Sequence, residues 1–165
     1  MSLQSRAVTM TKQMIQIEST DPGTYENAMA DWITTQLAPY PNVRLSRQEV
    51  LPGRPNLIAE LTGDPSLPTL VMICHMDTVV VGDGWTLPPF DAIEKDGKIY
   101  GRGACDMKSG LACCLSAFQY AAETLQTSGK TPKQTLKLIC SMDEEDFMRG
   151  SEACIQAGWV TDDDW

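Results

Sequence analysis

The sequence has one histidine, few cations and no long apolar run, and each scarcity excludes something. With 13 Lys+Arg against 22 Asp+Glu, the formal net charge is −9. Such a chain repels phosphate backbones and anionic headgroups, so neither nucleic acid nor a membrane surface is an expected partner. The longest apolar stretches, such as Thr69 to Cys74, fall far short of the roughly 20 residues of a membrane-spanning helix. Residues Met1 to Lys12 lack the apolar segment of a signal peptide. The expected location is therefore the cytoplasm. No C-x-x-C pair occurs among the six cysteines, and the adjacent Cys113 and Cys114 would point to different parts of a helix surface. A thiolate metal site is not expected, and reduced, mostly buried thiols are.

What is present reads as one ordinary domain: 165 residues, 42% hydrophobic and 21% charged. Leu3, Ala7, Met10, Met14 and Ile17 recur at helical spacing, as do Ala28, Met29, Trp32, Ile33 and Leu37 after the Asp21-Pro22-Gly23 break. Strand-like segments follow at Val43 to Val50 and Asn56 to Leu61. The continuous apolar run Leu70 to Cys74 predicts a central strand buried on both faces. An Asp96-Gly97 turn inside Ile93 to Tyr100 signals a hairpin, Ser109 to Ala122 a packed helix, and Thr135 to Ser141 another buried strand. The alternation implies an α/β layered domain, with a mixed, largely parallel sheet flanked by helices. Gly158-Trp159-Val160 reads as the approach to a further strand.

Chemistry gathers at three places. His75 directly follows the apolar strand, with Asp77 two residues on. In open α/β sheets ligands collect at the carboxyl ends of strands, and a carboxylate beside an imidazole fixes its tautomer and raises its basicity. The turn Gly101-Arg102-Gly103-Ala104-Cys105-Asp106-Met107-Lys108 presents Asp106 near a helix start. Asp143-Glu144-Glu145 follows the second buried strand, three carboxylates that repel one another unless solvated or neutralised by a cation. Singly, these read as a strand-capping histidine, an N-capping aspartate and a solvated acidic turn. Together they are the donors of a hydrolytic zinc site.

Taken in order, the series is His75-Met76-Asp77-Thr78-Val79, Trp85, Pro89-Phe90, Asp96-Gly97, Gly101-Arg102-Gly103 with Asp106-Met107-Lys108, Asp143-Glu144-Glu145 and Gly150. It resembles the M20 metallopeptidases across nearly the whole chain, and Ser19, Glu26 and Arg54-Pro55-Asn56-Leu57 also fit. That family includes acetylornithine deacetylases, succinyl-diaminopimelate desuccinylases, aminoacylases, carboxypeptidases and dipeptidases. The resemblance implies two zinc ions about 3.5–4 Å apart, with cobalt or manganese able to use the same donors. It assigns His75 to one metal, Glu145 to the other, Asp106 to the bridge, Glu144 to the general base and Asp77 to orienting His75. It further implies a cis peptide after Asp106 and an amide substrate, either a peptide or an N-acyl amino acid. Arg102 is expected to be structural, and Lys108 and Asp143 either tune the local field or are solvated.

The family pattern requires two further ligands, an Asp or Glu and a histidine. His75 is the only histidine here. The resemblance thus identifies residues 1–165 as the amino-terminal portion of a catalytic domain, cut before the site is complete. The lid domain is absent, the family homodimer is not expected without it, and the piece would bind fewer metals or none and be inactive. Two other classes stay open: a non-catalytic metal- or partner-binding α/β domain, marked by metal uptake without turnover, and a plain domain with no metal response.

Overall fold

A computed structural model describes residues 2–165. Helix α1 (Leu3–Ile15) starts where the Ser2 hydroxyl accepts the Ser5 N–H, satisfying one of the free donors of the first turn. It is followed by β1 (Thr20–Asp21), α2 (Asn27–Leu37), β2 (Arg44–Leu51), β3 (Arg54–Leu61), β4 (Leu70–His75) and β5 (Thr78–Val79). The hairpin β6 (Ile93–Lys95) and β7 (Lys98–Tyr100) turns at Asp96 and Gly97, both at positive φ, as a two-residue connection with right-handed twist requires. Then come α3 (Ser109–Ser128), β8 (Leu136–Ser141) and α4 (Arg149–Gln156). Helix α3 runs past the expected Ala122 to a left-handed stop at Gly129.

The main sheet has the order β2-β3-β8-β4. It is mixed, as expected, but not largely parallel. The β2–β3 and β3–β8 ladders are antiparallel, and only β4–β8 is parallel. The reason is local: the two residues Pro52-Gly53 between β2 and β3 allow only a hairpin. The predicted central strand is also displaced. Among the described strands β4 is outermost, Leu70 and Ile73 are each 47% exposed, and β8 takes the central place. The free side of β4 meets Trp165, whose N–H donates to the Thr69 carbonyl (2.8 Å) and whose carbonyl accepts from the Val71 N–H (2.6 Å). The residues Gly158-Trp159-Val160 are turn and bend rather than strand.

Period-two alternation sends β8 residues to opposite faces. Leu138 and Cys140 join Leu57, Ala59 and Cys74 beneath the helices, against Met14, Ile33, Leu115 and Phe118; Ile139 turns the other way to Ile58 and Cys154. Full burial of each large side chain contributes about 1.5–3 kcal/mol. The main cluster therefore fixes α1, α2 and α3 on one face, which sets where the amino end of α3 meets the strand ends.

Because β4 and β8 are parallel neighbours, with His75 opposite Ser141, their carboxyl ends emerge side by side. The segments leaving them carry His75-Met76-Asp77 and Asp143-Glu144-Glu145. The Met76 N–H donates to Ser141 O (2.9 Å), the Ser19 hydroxyl donates to Met76 O (2.8 Å), and the Thr78 N–H donates to Ser19 O (3.0 Å). These bonds lock the strand exits to the segment that follows α1.

Candidate metal centre

His75 is 5% exposed. Its Nδ1 lies 3.0 Å from the Asp77 backbone carbonyl, which can only accept, so Nδ1 carries a proton and Nε2 is the nitrogen turned toward the acidic groups. Nε2 is 3.0 Å from Asp106 Oδ1 and 3.7 Å from Glu144 Oε2. Donor atoms of His75, Asp106 and Glu145 all lie within 4.8 Å of one another. Neighbouring donors around tetrahedral zinc are about 3.3 Å apart, given bonds of 2.0–2.1 Å, and the 3.0 Å His75–Asp106 contact is close to that spacing. Imidazole and carboxylate are also the right donor chemistry, and the residues fit the group.

Asp106 reaches the site from the irregular turn before α3. Gly103, at φ +77°, reverses the chain there, and its carbonyl accepts the Lys108 N–H at 2.9 Å. A Cβ on Gly103 would fall 2.6 Å from the Thr78 side chain, so the turn needs glycine for space as well as conformation. The Asp106-Met107 peptide is cis. Lys108 is not solvated: it is 1% exposed and donates from Nζ to Ile17 O at 2.7 Å. Burial lowers its pKa to about 8, against the pull of Glu18.

Of the three carboxylates after β8, Asp143 is turned away from the other two. Asp143 sits at φ +62° and is fully buried, pointing inward to Arg149 and Arg54, while Glu144 lies on the His75 side. Asp77 is wholly buried; its Oδ2 accepts the Glu145 N–H at 2.9 Å, and its Oδ1 stands 3.7 Å from His75 Nδ1 with no hydrogen-bond partner. The histidine's close contact is therefore to the Asp77 carbonyl, and the Asp77 carboxylate ties down the acidic turn.

The electrostatics follow from these contacts. Burial opposes charge on His75, but hydrogen bonds with Asp77 and Asp106 outweigh it and raise the imidazole pKa to about 9. Burial would raise Asp77; the neighbouring His75, 3.7 Å away, and the N–H groups of Glu145 and Glu144 outweigh it and hold it below the usual range. Glu145 is pushed up by burial first, with Asp106, Asp77 and Glu144 adding against the opposing effect of His75. A cation among these groups would relieve that repulsion.

The sequence did not single out the buried group beneath the turn. Arg54 bonds to Glu26 and Asp21 and approaches Asp143. Nothing local announces it, since Arg54 and Glu26 are 28 residues apart; the only signal is that both lie in stretches fitting the family pattern. Arg102 donates to Val81 O at 3.0 Å and lies 5.3 Å from the Trp85 ring centroid, contacts that suit the structural role expected of it.

Residues 71–165 match the model of peptidase family M20/M25/M40. A probable succinyl-diaminopimelate desuccinylase of Staphylococcus aureus is 39% identical over 113 residues, 67% of this chain and 26% of that protein. The succinyl-diaminopimelate desuccinylase of Gluconacetobacter diazotrophicus is 46% identical over 92 residues, 55% of this chain and 22% of that protein. The di-peptidase Dug1p of Saccharomyces cerevisiae superposes with a TM-score of 0.73 at 19% identity, over 93% of this chain and 35% of that one. The YXEP protein of Bacillus subtilis, a dinuclear metal binding peptidase from the M20 family, gives 0.62 at 17% identity, over 96% of this chain and 40% of that one. Both structural likenesses show the fold, and the match spans about a quarter of the length of the staphylococcal relative. On the family match, the sequence identities and the shared fold, this chain belongs to the M20 metallopeptidase family.

Proposed function

We propose that these residues form the amino-terminal part of the catalytic domain of a two-metal hydrolase that cleaves an amide bond in a peptide or N-acyl amino acid. The observation that carries this reading is the convergence of His75, Asp106 and Glu145 donor atoms within 4.8 Å, with Glu144 alongside at 3.7 Å from His75 Nε2. The dinuclear peptidase of Bacillus subtilis supports the count of two metals. Zinc suits the donors best, and cobalt or manganese can take the same set. A lid and dimerisation domain and the rest of the ligand set would come from other parts of the protein, consistent with the greater length of the relatives. Six free thiols and a net charge of −9 suit the cytoplasm, and no helix among the described residues is long and apolar enough to cross a membrane.

When bound, the metal pair supplies Lewis acidity and eases deprotonation of water at neutral pH. The rest is the work of this chain. Asp106 and Glu145 provide carboxylate donors, and His75 offers Nε2 because its Nδ1 proton is held by the Asp77 carbonyl. Glu144, with its side chain 39% exposed beside His75, is placed to take a proton from the attacking water and return it to the leaving amine. Asp77 holds the Glu145 backbone and so the orientation of that ligand.

The relatives named for desuccinylation and for dipeptide cleavage share one chemistry, hydrolysis of an amide at an amino-acid nitrogen or carbonyl. The test is amine release by the full-length protein from N-succinyl and N-acetyl amino acids and from dipeptides. Glu144→Gln should lower kcat by about 10²–10⁴-fold at unchanged metal content. Equal turnover by the variant would overturn the assignment.

A further inference from the structure

Arg54 opens β3 at 7% exposure, with its guanidinium 4.2 Å from the Tyr25 ring centroid. Its Nε donates to Glu26 Oε2 (2.9 Å) and its Nη2 to Glu26 Oε1 (2.5 Å), the forked geometry of an arginine–carboxylate pair. The same Nη2 donates to Asp21 Oδ2 (2.5 Å) and lies 3.3 Å from Asp143 Oδ1. Glu26 is fully buried, and its Oε1 also accepts the backbone N–H of Asp143 at 3.1 Å. So one buried ion pair grips both the main chain and the carboxylate of the residue from which the acidic turn departs.

The far side of that turn is held too. Arg149 donates to Asp143 through Nε (2.5 Å) and Nη2 (2.6 Å), and the Met148 N–H donates to Asp143 O (2.6 Å). Between these anchors stand Glu144 and Glu145, which form no ion pair with these arginines. Removing one member of a buried ion pair leaves the other charge uncompensated, so the group acts as a unit. We propose that Glu26 and Arg54, which do not reach the metal-binding atoms, are positioning residues of the metal centre: their ion pair sets the Asp143 backbone and thereby the stance of Glu144 and Glu145 toward His75. This rests on the metal reading above for its consequence, but not for its geometry.

The experiment uses two readouts on wild type, Glu26→Gln and Arg54→Lys. Amide hydrogen exchange in the metal-free chain reads the order of residues 143–148 against β8 as internal reference. Cobalt(II) titration reads affinity and the visible ligand-field spectrum, which responds to the geometry of the donors. The expected result is at least tenfold faster exchange in the turn with β8 protection kept. Cobalt affinity should fall roughly 10–100-fold, with a shifted band, as for lost support of metal ligands. Arg54→Lys, which keeps the charge but loses the fork, should change both readouts in the same direction and by less. Unchanged exchange in the turn overturns the proposal. Loss of β8 protection in both variants also overturns it, since the pair would then hold the whole fold rather than the turn. If wild type binds no cobalt in a His75-dependent way, the metal reading falls, and the exchange result alone decides whether this pair sets the turn.

Discussion

The backbone N–H of Glu145 donates to the Asp77 carboxylate at 2.9 Å, joining the segments that leave β4 and β8 across 68 residues of sequence. One buried residue thus serves two strand exits, its carboxylate holding the Glu145 N–H and its backbone carbonyl accepting the His75 Nδ1 proton. Asp77→Asn keeps the volume but removes the charge that favours His75 as a donor and anchors the acidic turn. Zinc affinity, measured by titration calorimetry on the metal-stripped chain, should fall roughly 10–100-fold. An unchanged affinity would mean that Asp77 does not support the ligands.

Gly150, near the start of α4, lies against β8's exit so closely that a Cβ would be 2.3 Å from Met142 O and 2.6 Å from Asn56 Oδ1. Neither neighbour is free to move, because Asn56 is fully buried and bonds to both Gly150 O (2.8 Å) and the Met142 N–H (3.0 Å). Gly150→Ala should destabilise the fold by about 1–3 kcal/mol, read from the urea midpoint at constant slope.

Glu123 on α3 is held below the ordinary glutamate range chiefly by its hydrogen bond to Arg6 of α1, against a small opposing effect of burial, with the Tyr40 hydroxyl (2.9 Å) adding to the lowering. A depressed native pKa means that the unfolded chain binds more protons as the pH falls. The stabilisation is then complete above the unfolded value of about 4.3 and lost as the pH drops through the native one. The pair is half-exposed, so the effect is small. The urea-midpoint difference between wild type and Glu123→Gln should be constant at neutral pH and shrink toward zero on acidification below about pH 4.

How much of this was legible follows from what each residue signals. His75 after an apolar run, Asp106 in a glycine-bounded turn and Glu144-Glu145 after β8 could be named as site candidates because their chemistry is written in their types. The apolar run Leu70 to Cys74 showed that a strand forms there, but such a run does not say how many neighbours a strand has, and β4 proved outermost among the described strands. Asp143 was legible as acidic but not as inward-facing, because a positive φ at a residue other than glycine leaves no mark in the sequence. Lys108 was likewise indistinguishable from a solvated lysine until its Nζ was seen to meet Ile17 O. The Glu26–Arg54 pair joins α2's approach to β3 and exists only once the fold brings them together.

The central claim is that His75, Asp106 and Glu145 form a metal-binding unit. The direct measurement is calorimetric titration of the metal-stripped chain with zinc, beside His75→Ala. The account predicts saturable binding in the wild type that is abolished or weakened about a hundredfold or more in the variant, since the imidazole and its carbonyl-fixed tautomer are lost. Equal binding by both proteins, or none by the wild type, would contradict it.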